Sequence, residues 1–338
     1  MKKSFNFLTA AFLIATFTLY AYAQVGLKKV GQSTMNFLLV SISPHASAMG
    51  EAYCALGTGV ESILFNPAGI SETTNRFEMQ TYNTQWIGDI NYLGGSFIWN
   101  TQQYGTVGLS LLSVDYGTIY GTSLLSGGEK ELFPQGYKDL GKMDNVGAFA
   151  CGLTYGRAIS TQFRIGGDMR IVGQNLGQSQ LENGLKDNNA VKLVFDAGVK
   201  YNTRFHGFRF GMSIRNFSSN VKREEIDEQL PLLFTMGMAI DLLDVVAPTF
   251  SQNNSLNLAV DFLHPNNYSE RVNYGLEFLL FDHFALRGGY QTNQDLASWS
   301  TGIGLNYDVG KNNLRFDYSY SDFDLFSGVN RLSLGIAF

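Results

Sequence analysis

From Phe77 to the C-terminus, apolar and polar side chains alternate with a period of two, segment after segment. Phe163, Ile165, Met169 and Ile171 share one face, with Arg164, Asp168 and Arg170 opposite. Phe210, Met212 and Ile214 oppose Arg209, Ser213 and Arg215. Val272, Tyr274, Leu276 and Phe278 oppose Asn273 and Glu277, and Leu314, Phe316, Tyr318 and Tyr320 oppose Arg315, Asp317 and Ser319. Successive side chains of a strand point to opposite faces, so each segment is a strand with one apolar and one polar face. About fourteen such segments can be counted.

A soluble sandwich alternates too, and two features favour a closed barrel in lipid. The polar face carries charges of both signs in most segments. An Arg facing the middle of a bilayer costs about 2–4 kcal/mol, so a charged face must line the lumen. The connections also alternate in length. Asn100–Gln103, Arg157–Thr161, Asn202–Gly207, Phe281–His283 and Asp308–Asn312 are tight, while Asp115–Asp144, Gly173–Asn189 and Ser218–Leu230 are long. Short periplasmic turns and long external loops are the outer-membrane pattern. Leu242–Asn254 and the short Ile87–Ile90 break it. Composition agrees: 16% of residues are charged, against about 25% in soluble domains, 14% are aromatic, and there are 37 Gly and 6 Pro.

The chain ends on Leu334, Ile336 and Phe338, one face of an alternating strand. A terminal aromatic in that setting resembles the signal read by the barrel assembly machinery. An apolar strand left as an open edge would invite aggregation, which closure avoids.

Met1 to Ala23 reads as an export signal: Lys2 and Lys3, an apolar core over Phe7–Leu19, and Ala21-Tyr22-Ala23 as the cleavage site. No other run approaches the length of a transmembrane helix, so a membrane could be crossed only by closed strands. The expected organisation is a signal over 1–23, a lead-in and helical plug over 24–76, and the barrel over 77–338, placed in the bacterial outer membrane against its lipid.

Ser43 to Ser71 departs from the alternation. It is rich in small residues, Ala46, Ala48, Gly50, Ala52 and Ala55. Ser43 suits an N-cap and Pro44 the first helical position. Asn66-Pro67-Ala68-Gly69 reads as a tight turn, with Pro67 fixing φ and Gly69 supplying conformational freedom. The segment is expected to be a compact plug near the periplasmic end. Asn66 would bond backbone groups to fix the turn, and Met49 and Tyr53 would pack against the wall.

Little chemistry is visible. The net charge of −5 with scattered basic residues gives no field for nucleic acid. His45, His206, His264 and His283 lack metal-ligand spacing, and no nucleophile elbow or phosphate-binding loop is present. No metal, cofactor or catalytic residue is expected, and the protein reads as a non-enzyme. Cys54 and Cys151 are expected to be free thiols rather than a disulfide. The charged run Lys222–Glu228 reads as a solvated external loop.

Ala48-Met49-Gly50-Glu51-Ala52-Tyr53, followed by Asn66-Pro67-Ala68-Gly69, resembles the N-terminal signature of the PorV/PorQ family, itself similar to FadL-type barrels. Asp89-Ile90-Asn91-Tyr92 and Tyr104-Gly105-Thr106-Val107-Gly108-Leu109-Ser110 match the family's first hairpin region. The resemblance implies an all-β, fourteen-stranded antiparallel outer-membrane barrel with an N-terminal helical plug. It also implies a part in type IX protein secretion, with cargo signal domains or secretion-system proteins as partners. The alternative is a FadL-like channel for hydrophobic solutes.

Overall fold

The computed structural model describes residues 32–125, 132–143, 146–181, 184–203, 205–223, 227–294, 298–324 and 326–338. The expected export signal lies outside the described residues.

Fourteen strands form one closed antiparallel barrel in which every strand pairs with its sequence neighbours. They are β1 (Phe77–Gln85), β2 (Asn91–Asn100), β3 (Thr106–Asp115), β4 (Gly147–Ala158), β5 (Phe163–Leu181), β6 (Gly184–Asn202) and β7 (Arg209–Phe217). They continue as β8 (Leu233–Asp241), β9 (Asn254–Pro265), β10 (Arg271–Leu280), β11 (Phe284–Gln291), β12 (Trp299–Val309), β13 (Asn312–Phe323) and β14 (Phe326–Ala337). Closure is made by β1 against β14, in register from Glu78↔Ala337 to Gln85↔Asn330. Phe77 and Phe338 exchange backbone hydrogen bonds of 2.8 and 2.9 Å at the seam. A closed ladder satisfies every strand and leaves no edge, the condition for spanning lipid with β-structure. No described helix is long and apolar enough to cross a membrane.

The apolar faces point outward. Leu93, Leu111, Phe149, Leu153, Ile171, Leu276 and Leu334 are all exposed on the outer wall. Cys151 is exposed there too, Cys54 is buried inside, and both are free. The polar faces point into the lumen, where Asp168, Asp196, Lys200, Asp261, Glu277, Arg287, Asp317 and Arg331 are buried.

The tight turns lie at the end that holds Phe77 and Phe338, the periplasmic end by the rule of loop length. There the β8–β9 connection folds into helix α2 (Leu242–Val246) and a short 3₁₀ turn. At the external end, Gly173–Asn189 differs from the expected loop. The ladder continues through it, making β5 and β6 a hairpin of 19-residue strands. Within the β3–β4 connection, Tyr120–Leu124 pairs with Tyr137–Lys142 as a separate hairpin.

The segment before β1 runs through the lumen. Helix α1 (Pro44–Ala48) is capped by Ser43, whose Oγ accepts from Ala46 N at 3.2 Å. Two 3₁₀ stretches follow, Gly59–Leu64 and Pro67–Glu72. Ser33 bridges Gln229 at the external end, and Lys200 on β6 holds Glu72 close to the periplasmic turns. The plug therefore spans the height of the barrel and is not confined to its periplasmic end.

Candidate functional site

The plug is seated on the wall where inward positions carry no side chain. Gly166 pairs with Gly198, Gly211 with Gly237, and Gly275 with Gly289 across neighbouring strands. A methyl group on Gly289 would lie 1.9 Å from Gly50 N, and one on Gly198 would lie 2.0 Å from Asn66 Oδ1. Backbone reaches the wall because these positions are empty of side chain.

Wall side chains then grip plug backbone. Asp261 accepts from Tyr53 N at 2.9 Å and Cys54 N at 2.8 Å. Lys200 donates to Gly57 O at 2.6 Å, Arg215 to Leu64 O at 2.6 Å, and Arg331 to Ser41 O at 2.9 Å. Much of the charge inside the barrel thus serves as anchorage for a segment with many unpaired backbone groups.

The plug also carries charge of its own. His45 on α1 lies between two carboxylates, 3.1 Å from Glu61 Oε2 and 2.7 Å from Glu277 Oε2. Arg287 joins Glu277 at 2.7 Å to Asp317 at 2.5 Å. Glu61 further accepts from Ser43 Oγ at 3.0 Å, Tyr53 Oη at 3.0 Å and Gln80 Nε2 at 2.8 Å. Burial and the Arg287 guanidinium oppose a charge on His45, but Glu277 and Glu61 outweigh them and raise its pKa from 6.5 to about 9. Burial also disfavours the Glu61 anion, yet the hydrogen bond and charge of His45 bring its pKa down to about 2. His45 is thereby held as a cation at neutral pH, and its contact with Glu277 latches α1 to β10.

Of the residues singled out from sequence, Met49 is fully buried with its carbonyl over Gly275. Gly50 lies over Gly289. The Tyr53 ring packs edge-on to His45 and Phe65 in a cluster that includes Ala239 and Ala259 of the wall, and its backbone N–H donates to Asp261. Asn66 Oδ1 accepts from Ala68 N at 3.2 Å, and its Nδ2 donates to Cys54 O and Val199 O, each at 3.1 Å. Pro67 covers Gly166, and Gly69 is pressed against Gly57 O. Leu334 and Phe338 are exposed on the outer wall, with Ile336 between them opposite Met79 of β1. Sequence reasoning missed His45, Asp261, Glu277 and Arg287. Their one sequence signal was a charge on the polar face of a strand or a lone histidine in the plug.

Beside the external part of the plug, the mouth of the barrel holds a cavity of about 980 Å³. Phe37, Val40, Trp86, Ile90, Tyr92 and Phe323 line one side. Trp86 meets Tyr92 and Phe323 edge-on, at 6.3 and 5.0 Å between ring centres. Beneath this side Met35, Ile42, Tyr82, Val114, Val172 and Val194 form a buried apolar cluster. Arg223, expected in a solvated loop, instead turns inward to line the cavity and bond Gln174 and Glu228. Below the cavity, ion pairs fill the lumen: Arg170 with Asp168 and Asp196, and Arg315 with Glu78.

No family model matches the chain, and no curated protein matches it. Solved structures do. The toluene transporter TbuX of Ralstonia pickettii superposes with a TM-score of 0.54 at 13% identity, over 89% of this chain and 98% of that one. The monoaromatic hydrocarbon channel CymD gives 0.55 at 10% identity, over 89% and 98%. A FadL homologue of Pseudomonas aeruginosa gives 0.50 at 10%, over 86% and 96%. At these identities the likeness is one of fold: the chain has the FadL-like fold of outer-membrane barrels. The resemblance to the PorV/PorQ family rests on the quoted residues alone.

Proposed function

We propose that the protein is an outer-membrane channel that takes up small hydrophobic solutes, such as monoaromatic hydrocarbons, from the external medium. The observation that carries this reading is the aromatic-walled cavity of about 980 Å³ at the external mouth, lined in part by the plug. Ligand sites are concave and mostly apolar with a few placed polar groups, and the cavity has that make-up. The toluene transporters that share the fold support the same reading. The plug occupies the lumen along the height of the barrel, so passage requires the plug or the wall beside it to move.

The test is a fluorescence titration of the purified protein in detergent. Trp86 lines the cavity and Trp299 borders it from the outward face of β12, while Trp99 stands on the outer wall away from it. Toluene should change the emission saturably, and the change should be lost in Trp86→Phe/Trp299→Phe. An unsaturable response, or one that survives in the double variant, counts against the channel.

One observation favours a second reading, in which external loops dock exported proteins or type IX secretion partners. The β3–β4 connection presents Tyr120, Leu124, Leu132 and Leu140 to solvent, and an exposed apolar group of this kind commonly marks an interaction site. Co-purification from solubilised outer membrane tests it. Recovery of no exported protein or secretion component would remove it.

A further inference from the structure

The polar groups around the external cavity differ in one respect. Its arginines are engaged. Arg223 donates to Gln174 Oε1 at 2.7 Å and Glu228 Oε2 at 2.9 Å. Arg331 donates to Ser41 O at 2.9 Å and Ser321 Oγ at 2.8 Å, and its guanidinium lies over the Trp86 ring at 5.5 Å. Arg271 lies over the Tyr268 ring at 5.3 Å.

Glu51 is different. It follows α1 on the plug and lines the same cavity. Among the described residues its carboxylate has no hydrogen-bond or ion-pair partner. Its backbone has φ of 63°, directly after Gly50 at 61°. A non-glycine residue in the left-handed region is uncommon, and such residues cluster at ligand sites when the surrounding structure enforces them. Here the enforcing contacts are visible: Gly50 is wedged against Gly289 and its N–H donates to Ser300 Oγ at 3.2 Å.

We propose that Glu51 sets the specificity of the cavity by accepting a hydrogen bond from the hydroxyl of a ring-sized, otherwise apolar solute. Phenolic compounds would then be preferred to the bare hydrocarbon, and aromatic carboxylates disfavoured. This inference rests on the solute-channel reading. The aromatic residues of the cavity accept the ring, and Glu51, which lines the same cavity, is the acceptor. A carboxylate would meet Glu51 with like charge.

Calorimetry at pH 7 in detergent with toluene, 4-methylphenol and 4-methylbenzoate tests this. The phenol, with a pKa near that of Tyr, about 10, is neutral at this pH. One extra hydrogen bond to a charged acceptor should make 4-methylphenol bind about tenfold more tightly than toluene. The benzoate should bind most weakly. Glu51→Gly, which accepts the positive φ without strain, should erase the phenol preference and bring the affinities for phenol and hydrocarbon together. Glu51→Gln keeps an acceptor and should retain part of the preference. Equal affinity for phenol and hydrocarbon, tightest binding of the benzoate, or a preference that survives Glu51→Gly overturns the proposal. If none of the three binds, the channel reading itself fails and the specificity falls with it.

Discussion

At the scale of single residues, the barrel is specific about where side chains are missing. Gly288 and Gly289 are adjacent and face opposite ways. A methyl group on Gly288 meets nothing within 4 Å, whereas on Gly289 it would strike Gly50 N at 1.9 Å. Gly288→Ala should leave the folded band on heat-modifiability gels unchanged. Gly289→Ala should reduce it, since overpacking a close contact costs about 1–3 kcal/mol or more. Equal behaviour of the two variants would show that the plug does not bear on this wall. His45 gives a second residue-level prediction. Its folded pKa is raised, so its contribution is full below about 6.5 and is lost as pH rises through about 9. Replacing it with Leu would remove the cation shared by Glu61 and Glu277, leaving Glu277 to Arg287 and Glu61 with no cation within 4 Å among the described residues, at a cost of about 3 kcal/mol. Protease cleavage within the plug should accelerate above pH 9 in the wild type. In His45→Leu it should be fast throughout; slow cleavage there would contradict the latch. None of this was legible in the sequence. His45 and Glu277 are 232 positions apart, and barrel closure alone brings them together.

At the scale of elements, the plug was partly legible. Small residues, the Ser43 cap and the Asn66-Pro67 turn marked a non-strand segment, because a chain threaded through a barrel must fit between inward side chains. Its extent was not legible: Ser33 reaches the external loop at Gln229. No sequence rule tells how far an irregular segment runs along a lumen. The turn gives a sharp test. Asn66→Ala removes bonds to Cys54 O, Val199 O and Ala68 N, all inside the barrel. Each buried group left unpaired costs about 1–3 kcal/mol. Gly69→Val would force a side chain onto Gly57 O, 2.4 Å from a methyl at that position. Both variants should lower the yield of assembled barrel. Wild-type heat-modifiable migration of both would refute a structural role for the turn. The outer half of the long β5–β6 hairpin counts as a long connection in the sequence, and Gly and Asn recur through it. Those residues disfavour strands in isolation, yet here the ladder that begins inside the membrane simply continues.

At the scale of the whole molecule, alternation and loop lengths sufficed for a closed barrel of fourteen strands. The lumen was less transparent. Inward arginines argue against a greasy path, and in the structure Arg170 and Arg315 are held in ion pairs inside the barrel. The external mouth is different because residues from the plug, β2, β13 and the loops converge there, and they are far apart in sequence. Two zones follow, an aromatic cavity above and a gripped, charged plug below. The most direct measurement is a crystal soak with 4-bromotoluene, located by the anomalous signal of bromine. The expected result is a peak inside the external cavity, among Phe37, Trp86, Tyr92 and Phe323. Bromine peaks confined to the outer wall, with the cavity empty, would contradict a solute-binding mouth.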